Sequence, residues 1–357
     1  MALPFLKPAL KRKDQLVAVD LGSRMTKAVY LQAKDDGLSL LRYAILDAPI
    51  AEQGVSVEVL GEHLRAVVAQ LNPKAKLMAV TASVSDVVIR TVEMPPVPLN
   101  EMRAIIKNNP KQHMAQELPD HTFDCYIMTQ RSQAKPGDKD RAGGMTGKLK
   151  VLVAAARTRL VQDLQAAIKH AGLVPDSVVP MLITTINAFE RAQPEVFTKE
   201  VVALVDIGFK NSTICLLQEG ELILSRVVGI GGDKITEGLA NALGISYVEA
   251  EGIKIGMPQE VVDSLEVVVR PLGRELRALM DFFEHQQDQQ VRHVFVCGAT
   301  ARSDCILQIL QSELMVECKR WDPVAGLKLE LAPEQAAEIE HVAPQLAGAV
   351  GCALASI

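Results

Sequence analysis

Two segments of this chain share one pattern, in which an apolar strand ends in Asp-x-Gly and a second strand follows directly. The first segment reads VAVDLGSRMTKAVYL from Val17, and the second reads ALVDIGFKNSTICLL from Ala203. About half of the 357-residue chain separates the two copies. A repeat of this length, with other strands and helices between its copies, predicts a duplicated two-domain α/β architecture rather than a solenoid of short repeats.

The turn after each strand offers the groups that a nucleotide phosphate chain needs. Such a chain is held by backbone N–H groups, by glycines that permit close approach, and by small hydroxyls. The candidate phosphate ligands are Asp20, Gly22, Ser23, Thr26 and Lys27 in the first segment, and Asp206, Gly208, Asn211, Ser212 and Thr213 in the second. The aspartates, Asp20 and Asp206, can also orient Mg²⁺ or water. A single Asp-x-Gly is equally typical of an ordinary turn, so the prediction depends on the two copies.

Three later motifs are weaker candidates for the same site. They are Gly231, Gly232 and Asp233 in GIGGD, Glu251 and Lys254 in AEGIK, and Gly298 and Ala299 after VFVC. The GIGGD segment precedes a predicted helix, whose N-terminus can receive a phosphate or ribose, although a flexible turn also explains it. The i, i+3 spacing in AEGIK is most often that of a solvated surface pair. The end of the VFVC strand is where ligands bind in α/β domains, and a tight turn is the alternative.

Composition excludes several other classes of function. The net charge of −5 provides no basic surface for nucleic acid. The six cysteines form no CxxC pair or Cys/His cluster, so we expect buried thiols in a reducing cytoplasm. No serine lies in a GxSxG context, which leaves a nucleophilic hydrolase without support. No apolar run approaches the roughly 20 residues of a membrane span, and the N-terminal residues, with charges after apolar side chains, predict a tail rather than a secretory signal.

A region between the two patterns reads as a separate unit. Its sequence predicts a strand, a helix that begins at Glu101 with Asn100 as its cap, and a second strand, FDCYIMTQ. A polar loop over 133–148, a strand LKVLVAAA and a helix ending before Gly172 follow. We interpret residues 87–175 as an inserted subdomain.

These residues together resemble the superfamily of actin, Hsp70 and the sugar kinases. Within it, the chain is identified as a member of the PilM family of type IV pilus assembly proteins, which are relatives of the cell-division protein FtsA. The resemblance covers essentially the whole chain and includes both phosphate motifs, AEGIK, VFVCGATARSD and the closing segment LAGAVGCALA. The segment from VIRTVEMPPVP to FDCYIM resembles the subdomain that PilM and FtsA share in place of actin's usual one.

The resemblance implies an actin-like (ribonuclease H-like) duplicated two-domain α/β fold with an inserted subdomain of the FtsA/PilM type. The implied boundaries are 14–86, 176–199 and 340–357 for the first domain, 87–175 for the insert, 200–235 and 286–339 for the second domain, and 236–285 for its helical subdomain. PilM-like proteins bind ATP with Mg²⁺, and in this chain Glu251 and Lys254 would flank the ribose and adenine.

The resemblance also implies a partner. PilM-like proteins capture the N-terminal cytoplasmic peptide of a bitopic inner-membrane protein of the PilN class, which links the periplasmic alignment complex to the cytoplasmic motor. We therefore expect a cytoplasmic scaffold that is peripheral to the inner membrane through this partner, with the motor ATPases as further candidate partners. The peptide groove is expected between the first domain and the insert, near residues 79–92 and 101–108.

Several positions depart from the family pattern. Arg24 and Met25 occupy places where the first loop usually carries small hydroxyl residues, and Ala299 stands where a second glycine is usual. The connecting helix, VVPMLITTINAFERA, has no carboxylate before Glu190, whereas the family places an acidic residue at its start to position water. A positioned base is typically worth about 10²–10⁴-fold in rate. We therefore expect ATP hydrolysis to be weak or absent and assign no catalytic residue.

Two other functions stay open at this point. A true ATPase or small-molecule kinase of the superfamily would need a catalytic Asp facing its substrate, and apart from Asp206 the second phosphate loop offers none. A filament-forming protein of the FtsA type usually ends in a basic amphipathic helix. This chain has no Lys or Arg after Lys328, so we expect no direct membrane tether of that kind.

Overall fold

The computed structural model describes residues 14–35, 37–49, 55–128 and 148–357. The predicted N-terminal tail up to residue 13 and the predicted polar loop up to residue 147 lie outside the described residues. Within the described ranges, no helix combines the length and the hydropathy that a membrane crossing requires.

The described chain alternates strands and helices, which confirms the predicted α/β class. The strands are β1 (Gln15–Leu21), β2 (Met25–Lys34), β3 (Gly37–Asp47), β4 (Leu77–Ala82), β5 (Val87–Met94), β6 (His121–Ile127), β7 (Leu149–Arg157), β8 (Val174–Pro180), β9 (Val201–Ile207), β10 (Ser212–Gln218), β11 (Glu221–Val228), β12 (His293–Cys297), β13 (Glu317–Arg320) and β14 (Lys328–Leu329). The helices are α1 (Val57–Leu71), α2 (Leu99–Asn108), α3 (Pro110–Met114), α4 (Thr158–His170), α5 (Met181–Ala192), α6 (Pro194–Lys199), α7 (Gly232–Leu243), α8 (Tyr247–Gly256), α9 (Val262–Gln287), α10 (Asp304–Leu314), α11 (Pro333–Val342) and α12 (Ala347–Leu354).

Two large sheets repeat the same topology. The first has the order β14-β3-β2-β1-β4-β8 and the second has the order β11-β10-β9-β12-β13. In both, a three-stranded antiparallel meander is followed by parallel strands, with β4 beside β1 and β12 beside β9. The predicted duplication is therefore present in the backbone, and its two copies begin at the two Asp-x-Gly strands.

The first large sheet lies in one hydrophobic core, and the second sheet lies between that core and a second one. On β9, for example, Val202 belongs to the first core and Val205 to the second. All seven residues of β9 are buried, as are the five central residues of β1, which is typical of strands covered on both faces. Phe189 of α5 is a large fully buried side chain of the first core, and Phe283 of α9 has the same place in the second. We refer to these two units as the first and second domains.

The insert forms a third, smaller layer. Its antiparallel sheet has the order β5-β7-β6, and its core contains Met94, Met102 and Ile106. Helix α2 begins at Leu99 with Pro98 at its N-cap, two residues before the predicted start, and Asn100 lies within its first turn. Helix α4 packs against α1 and shares the first domain's core rather than that of the small sheet.

Small residues allow two helices of the first domain to approach closely, as the segment LAGAVGCALA predicts. A Cβ atom added to Gly351 of α12 would lie 1.6 Å from the backbone oxygen of Thr184 in α5. A Cβ atom on Gly348 would lie 2.9 Å from a carboxylate oxygen of Asp20. These glycines therefore let α12 lie directly against both α5 and the end of β1.

Candidate functional site

The strand register selects which residues of each hairpin face the same side. Asp20 on β1 is the cross-strand partner of Lys27 on β2, and Asp206 on β9 is the partner of Thr213 on β10. Directly opposed residues of an antiparallel pair project to the same face of the sheet. The two hairpins therefore present equivalent pairs, although the second has a hydroxyl in place of the ammonium group.

A large cavity lies between the two domains where these hairpins end. Its volume is about 1040 Å³, which is at the upper end of the range for small-molecule sites. Thirteen of the seventeen sequence-predicted site residues line it: Asp20, Gly22, Ser23, Lys27, Asp206, Gly208, Asn211, Thr213, Gly232, Glu251, Lys254, Gly298 and Ala299. The chain thus brings together all five motifs that were singled out from the sequence.

Four predicted residues do not line the cavity, and strand alternation explains two of them. Thr26 and Ser212 are each one position away from a cavity-facing residue, so their side chains point to the opposite face. The Thr26 hydroxyl lies 2.8 Å from Nε2 of His63 on α1, and the Ser212 hydroxyl donates to the backbone oxygen of Ile230 at 2.5 Å. Both hydroxyls therefore support the hairpins from behind.

The other two residues, Gly231 and Asp233, support the second hairpin. A Cβ atom on Gly231 would lie 2.3 Å from the backbone oxygen of Phe209, so only glycine permits this approach. Asp233 accepts hydrogen bonds from Lys210 at 2.6 Å and from the Tyr247 hydroxyl at 2.7 Å. The Lys210 contact is the main cause that holds the pKa of Asp233 below its usual range.

The floor of the cavity carries two buried carboxylates. Asp20 lies 3.2 Å from Nζ of Lys27 and accepts a hydrogen bond from the Thr81 hydroxyl at 3.1 Å. Asp206 has a hydrogen bond of 3.5 Å from the Thr185 hydroxyl. Burial raises the pKa of Asp206 to about 6, the negative charge of Asp20 adds to the increase, and Lys27 opposes it. Additional positive charge would therefore stabilise this pair of carboxylates.

A buried ion pair lies on the second domain's side of the cavity. Oε2 of Glu251 accepts hydrogen bonds from Lys254 at 2.6 Å and from the Thr236 hydroxyl at 2.5 Å. Lys254 also donates to the Thr236 hydroxyl at 2.6 Å and to the backbone oxygen of Gly232 at 3.3 Å. Burial lowers the pKa of Lys254, and the Glu251 carboxylate opposes that effect. The pair is thus part of the cavity wall rather than the solvated surface pair that its spacing alone favours.

Gly298 closes the end of β12 against the second aspartate. Its φ of +95° lies in a region that L-residues with side chains rarely adopt. A Cβ atom there would lie 2.5 Å from the backbone oxygen of Ile207 and 2.6 Å from Oδ1 of Asp206. The first position of this turn therefore requires glycine, whereas the second position is occupied by Ala299, which lines the cavity.

Arg24 extends from the turn of the first hairpin to the second domain. Its Nη1 atom lies 3.3 Å from Oε1 of Glu251, and its guanidinium carbon lies 5.0 Å from the centroid of the Phe209 ring. Lys210 contacts the same ring, with Nζ 5.4 Å from the centroid. The turns of the two hairpins are therefore in contact, because the Phe209 ring of the second turn packs against the cationic groups of both Arg24 and Lys210.

Several cavity residues were missed from the sequence. They include Ser83, Val84 and Ser85 between β4 and β5, Thr300 and Arg302 after β12, and Pro344, Gln345 and Gly348 before and in α12. A sequence signal exists only for the second group, because a turn after a parallel strand is a usual ligand position. The others reach the cavity through folding of distant segments, and no local motif marks them.

The residues at the cavity floor fit a nucleotide-bound magnesium ion better than a dedicated metal centre. In the part of the chain that the structure describes, no group of three or more His, Cys, Asp or Glu side chains is placed to hold a metal. Mg²⁺ usually takes one or two carboxylates and completes its shell with water and substrate phosphates. Asp20 and Asp206 match that requirement, and the high pKa of Asp206 shows that a cation would be favourable there.

Comparison with known families identifies the chain. A sequence model of the family described as "Type IV pilus assembly protein PilM" matches residues 18–357. The chain belongs to the PilM family. Two curated relatives of this PilM-family protein are the cell division proteins FtsA of Bacillus subtilis and Pseudomonas aeruginosa. They are 29% identical over 103 residues and 30% identical over 116 residues, which is 29% and 31% of this chain. The matched part spans only 22% and 27% of the length of those relatives.

Solved structures confirm the actin-like fold of this PilM-family protein. A PilM–PilN type IV pilus biogenesis complex matches with a TM-score of 0.79 and 21% identity, covering 96% of this chain and 98% of that chain. The ethanolamine utilization protein EutJ of Carboxydothermus hydrogenoformans matches with a TM-score of 0.56 and 16% identity, covering 99% and 92%. MreB 5 of Spiroplasma citri, solved with bound AMPPNP, matches with a TM-score of 0.50 and 10% identity, covering 96% of each chain. At these identities the likeness concerns the fold alone.

Proposed function

We propose that this PilM-family protein binds ATP with Mg²⁺ between its two domains and acts as a cytoplasmic scaffold of type IV pilus assembly. In this role it captures the N-terminal cytoplasmic peptide of a PilN-like inner-membrane protein and links it to the motor. The proposal includes weak or absent ATP hydrolysis. It also includes the site residues, the domain boundaries and the peripheral membrane location expected from the sequence.

One observation carries the nucleotide part of the proposal: the register of both hairpins directs their charged and hydroxyl pairs into a single cavity. The backbone N–H groups of the two turns and the Lys27 ammonium group would hold the phosphates. Asp20 and Asp206 would hold the metal, which supplies charge neutralisation for the phosphate chain. Glu251 and Lys254 would flank the ribose and adenine. MreB 5, which has the same fold, was solved with a bound ATP analogue.

The start of α5 supports slow hydrolysis or none. Met181, the first residue of this helix, lines the cavity, whereas Glu190 lies in its last turn. No described residue of the first turn of α5 carries a carboxylate. A thioether cannot accept a proton from water at neutral pH, so this position supplies no general base.

The peptide part of the proposal is supported by the position of β5. In the described sheet of the insert, β5 is an edge strand, and edge strands offer unpaired backbone groups to an extended peptide. Val87 and Ile89 pack toward the first domain's core, whereas Val88 and Val92 pack toward the insert's core. The strand thus lies at the boundary where the groove is expected. The solved PilM of the matching fold is itself in a complex with PilN.

Nucleotide binding and turnover test the first part. Purified protein with Mg²⁺-ATP should show a higher unfolding temperature than protein with Mg²⁺ alone, and phosphate release should stay near the rate of uncatalysed hydrolysis. Asp206→Ala should remove the thermal shift. Rapid phosphate release that saturates with ATP and disappears in Asp206→Ala would contradict the scaffold proposal and favour a true ATPase or kinase. If no nucleotide changes the unfolding temperature, only the peptide role survives.

Photo-crosslinking tests the second part. A synthetic peptide with the cytoplasmic N-terminal sequence of the bitopic pilus protein from the same organism, carrying a photoreactive residue, is irradiated with the protein and the products are mapped by mass spectrometry. Crosslinks should fall within residues 79–92 and 101–108, and a scrambled peptide of the same composition should give none. Crosslinks confined to the second domain would contradict the proposed groove.

A further inference from the structure

Arg24 makes one of the contacts between the two domains at the cavity. It is in the three-residue turn Gly22–Arg24 of the first hairpin, yet the described contacts of its side chain, with Glu251 and Phe209, are to the second domain. Its side chain is 42% exposed, whereas that of Glu251 is 17% exposed. The contact is therefore accessible from the cavity and from solvent, and it can open without disturbing either core.

The three lysines that line the cavity form their ion pairs within a single domain. Lys27 pairs with Asp20 at 3.2 Å, Lys210 pairs with a carboxylate at 2.6 Å, and Lys254 is buried beside Glu251 at 2.6 Å. In each case the carboxylate belongs to the same domain as the lysine. Arg24 differs because its carboxylate partner, 3.3 Å away, lies across the cavity in the other domain.

The two oxygens of Glu251 have separate partners. Oε2 receives the Thr236 hydroxyl and the Lys254 ammonium group, both of which are in the second domain. Oε1 receives only Arg24 among the described hydrogen-bond partners. The Arg24 guanidinium occupies one approach to Oε1 from the cavity, so a ligand hydroxyl that reaches Oε1 from that side must displace it. Once released, the arginine remains in the turn whose backbone N–H groups are proposed to hold phosphate.

We propose that Arg24 makes the cavity selective for phosphorylated nucleotides over the free nucleoside. Paired with Glu251, Arg24 opposes any ligand that offers only a ribose hydroxyl to that carboxylate. A polyphosphate offsets this competition because it binds the released guanidinium, which pairs well with phosphate oxygens. This inference rests on the proposed nucleotide binding, and it concerns a residue that departs from the usual small hydroxyls of the first loop.

Affinities for adenosine and for Mg²⁺-ATP, measured by calorimetry on the full chain, test the proposal. The variants are Arg24→Ala, Arg24→Gln and the matched control Arg226→Ala, which removes an arginine of similar exposure from an ion pair with Glu275 inside the second domain, away from the cavity. We expect Arg24→Ala and Arg24→Gln to bind adenosine about twofold to fivefold more tightly, because an exposed ion pair is lost. They should bind Mg²⁺-ATP about tenfold more weakly, because a charged hydrogen bond to phosphate is lost.

The opposite signs of the two effects distinguish this role from general damage to the site. Arg226→Ala should leave the ratio of the two affinities within about twofold of the wild-type ratio. If the wild type binds ATP but both Arg24 variants keep the wild-type ratio, the selectivity role is wrong and the proposed nucleotide function stands. If the wild type binds neither ligand, both proposals are wrong. Unfolding temperatures of the variants without ligand, compared with wild type, show whether each has folded.

Discussion

The buried carboxylate of Asp206 should destabilise the protein when no nucleotide is bound. Among the residues that the structure describes, its side chain has no ion-pair partner of its own, because Lys27 lies against Asp20 at 3.2 Å. Burial and the charge of Asp20 raise its pKa to about 6 from an ordinary value of 3.8. Replacing the carboxylate with the isosteric amide in Asp206→Asn removes the charge and keeps the shape.

The size of the effect follows from the pKa shift. A shift of about two units corresponds to roughly 3 kcal/mol at pH 7, at 1.36 kcal/mol per unit. The folded state takes up a proton near pH 6, whereas the unfolded state does so only near pH 4. This carboxylate's contribution to stability therefore increases as the pH falls through 6 and is complete below the unfolded pKa. We expect Asp206→Asn to gain about 1–3 kcal/mol at pH 7, since the amide still needs a hydrogen-bond partner.

Thermal unfolding of wild type and Asp206→Asn between pH 5 and pH 8 measures this effect. Without nucleotide, the variant should unfold at a higher temperature at pH 7, by about 2–4 °C per kcal/mol, and the difference should shrink toward pH 5. With Mg²⁺-ATP at 100 times its Kd, the wild type should gain about 2.7 kcal/mol that the variant does not gain, so the variant's advantage at pH 7 should disappear or reverse. A variant that is less stable than wild type at pH 7 without nucleotide would refute the reasoning.

Four further outcomes follow from the geometry. Gly298→Ala should lose at least about 1–3 kcal/mol of stability through backbone strain, together with the thermal shift from Mg²⁺-ATP. Gly351→Ala should be expressed poorly or unfold at a lower temperature, because its Cβ would lie 1.6 Å from the Thr184 carbonyl oxygen. The control Gly252→Ala has open space around it and should gain about 0.5–1 kcal/mol of stability. Equal unfolding temperatures for the two variants would count against the close approach. Met181→Glu should raise phosphate release at least about tenfold over Met181→Gln if a missing base limits hydrolysis. Mg²⁺-ATP and the captured peptide should change each other's affinity by the same factor, about 5–150, and independence would contradict communication between the two sites.

The sequence predicted the fold and the site best where a short local motif marks the element. The two Asp-x-Gly strands were located correctly because each has a local signature. The boundaries of the insert stay a prediction, and its last helix, α4, shares the first domain's core. Given the start of β2, strand alternation could also have predicted that Lys27 lines the cavity and Thr26 does not. In a strand, side chains alternate between faces, so Asp20 and Lys27 share a face only if the turn is as short as Gly22–Arg24. The sequence alone does not mark the residue at which β2 begins, so it does not separate Lys27 from Thr26 as candidate ligands.

Other features of the site could not be predicted because they depend on the packing of distant segments. The spacing of Glu251 and Lys254 favours a surface pair, and only the packing of α8 against α7 buries it beside Thr236. In the sequence, Arg24 is only a departure from the usual residues of the first loop. The fold adds its contacts with Glu251 and Phe209 of the second domain. No local rule connects residues as distant in sequence as Arg24 and Glu251, which are 227 positions apart, so such contacts need either a structure or covariation between relatives.

The turn between β4 and β5 gives a physical reason to expect that the two proposed sites influence each other. Ser83, Val84 and Ser85 line the cavity, and β5, which borders the expected peptide groove, begins at Val87. The turn is held by short-range contacts, since the backbone N–H of Asp86 donates to the backbone oxygen of Ser83 at 3.0 Å. A ligand that moves this turn must also move the start of β5, because only a few covalent bonds separate them. Communication across so short a path needs no rearrangement of either core, which suits a scaffold that responds to bound nucleotide without hydrolysing it.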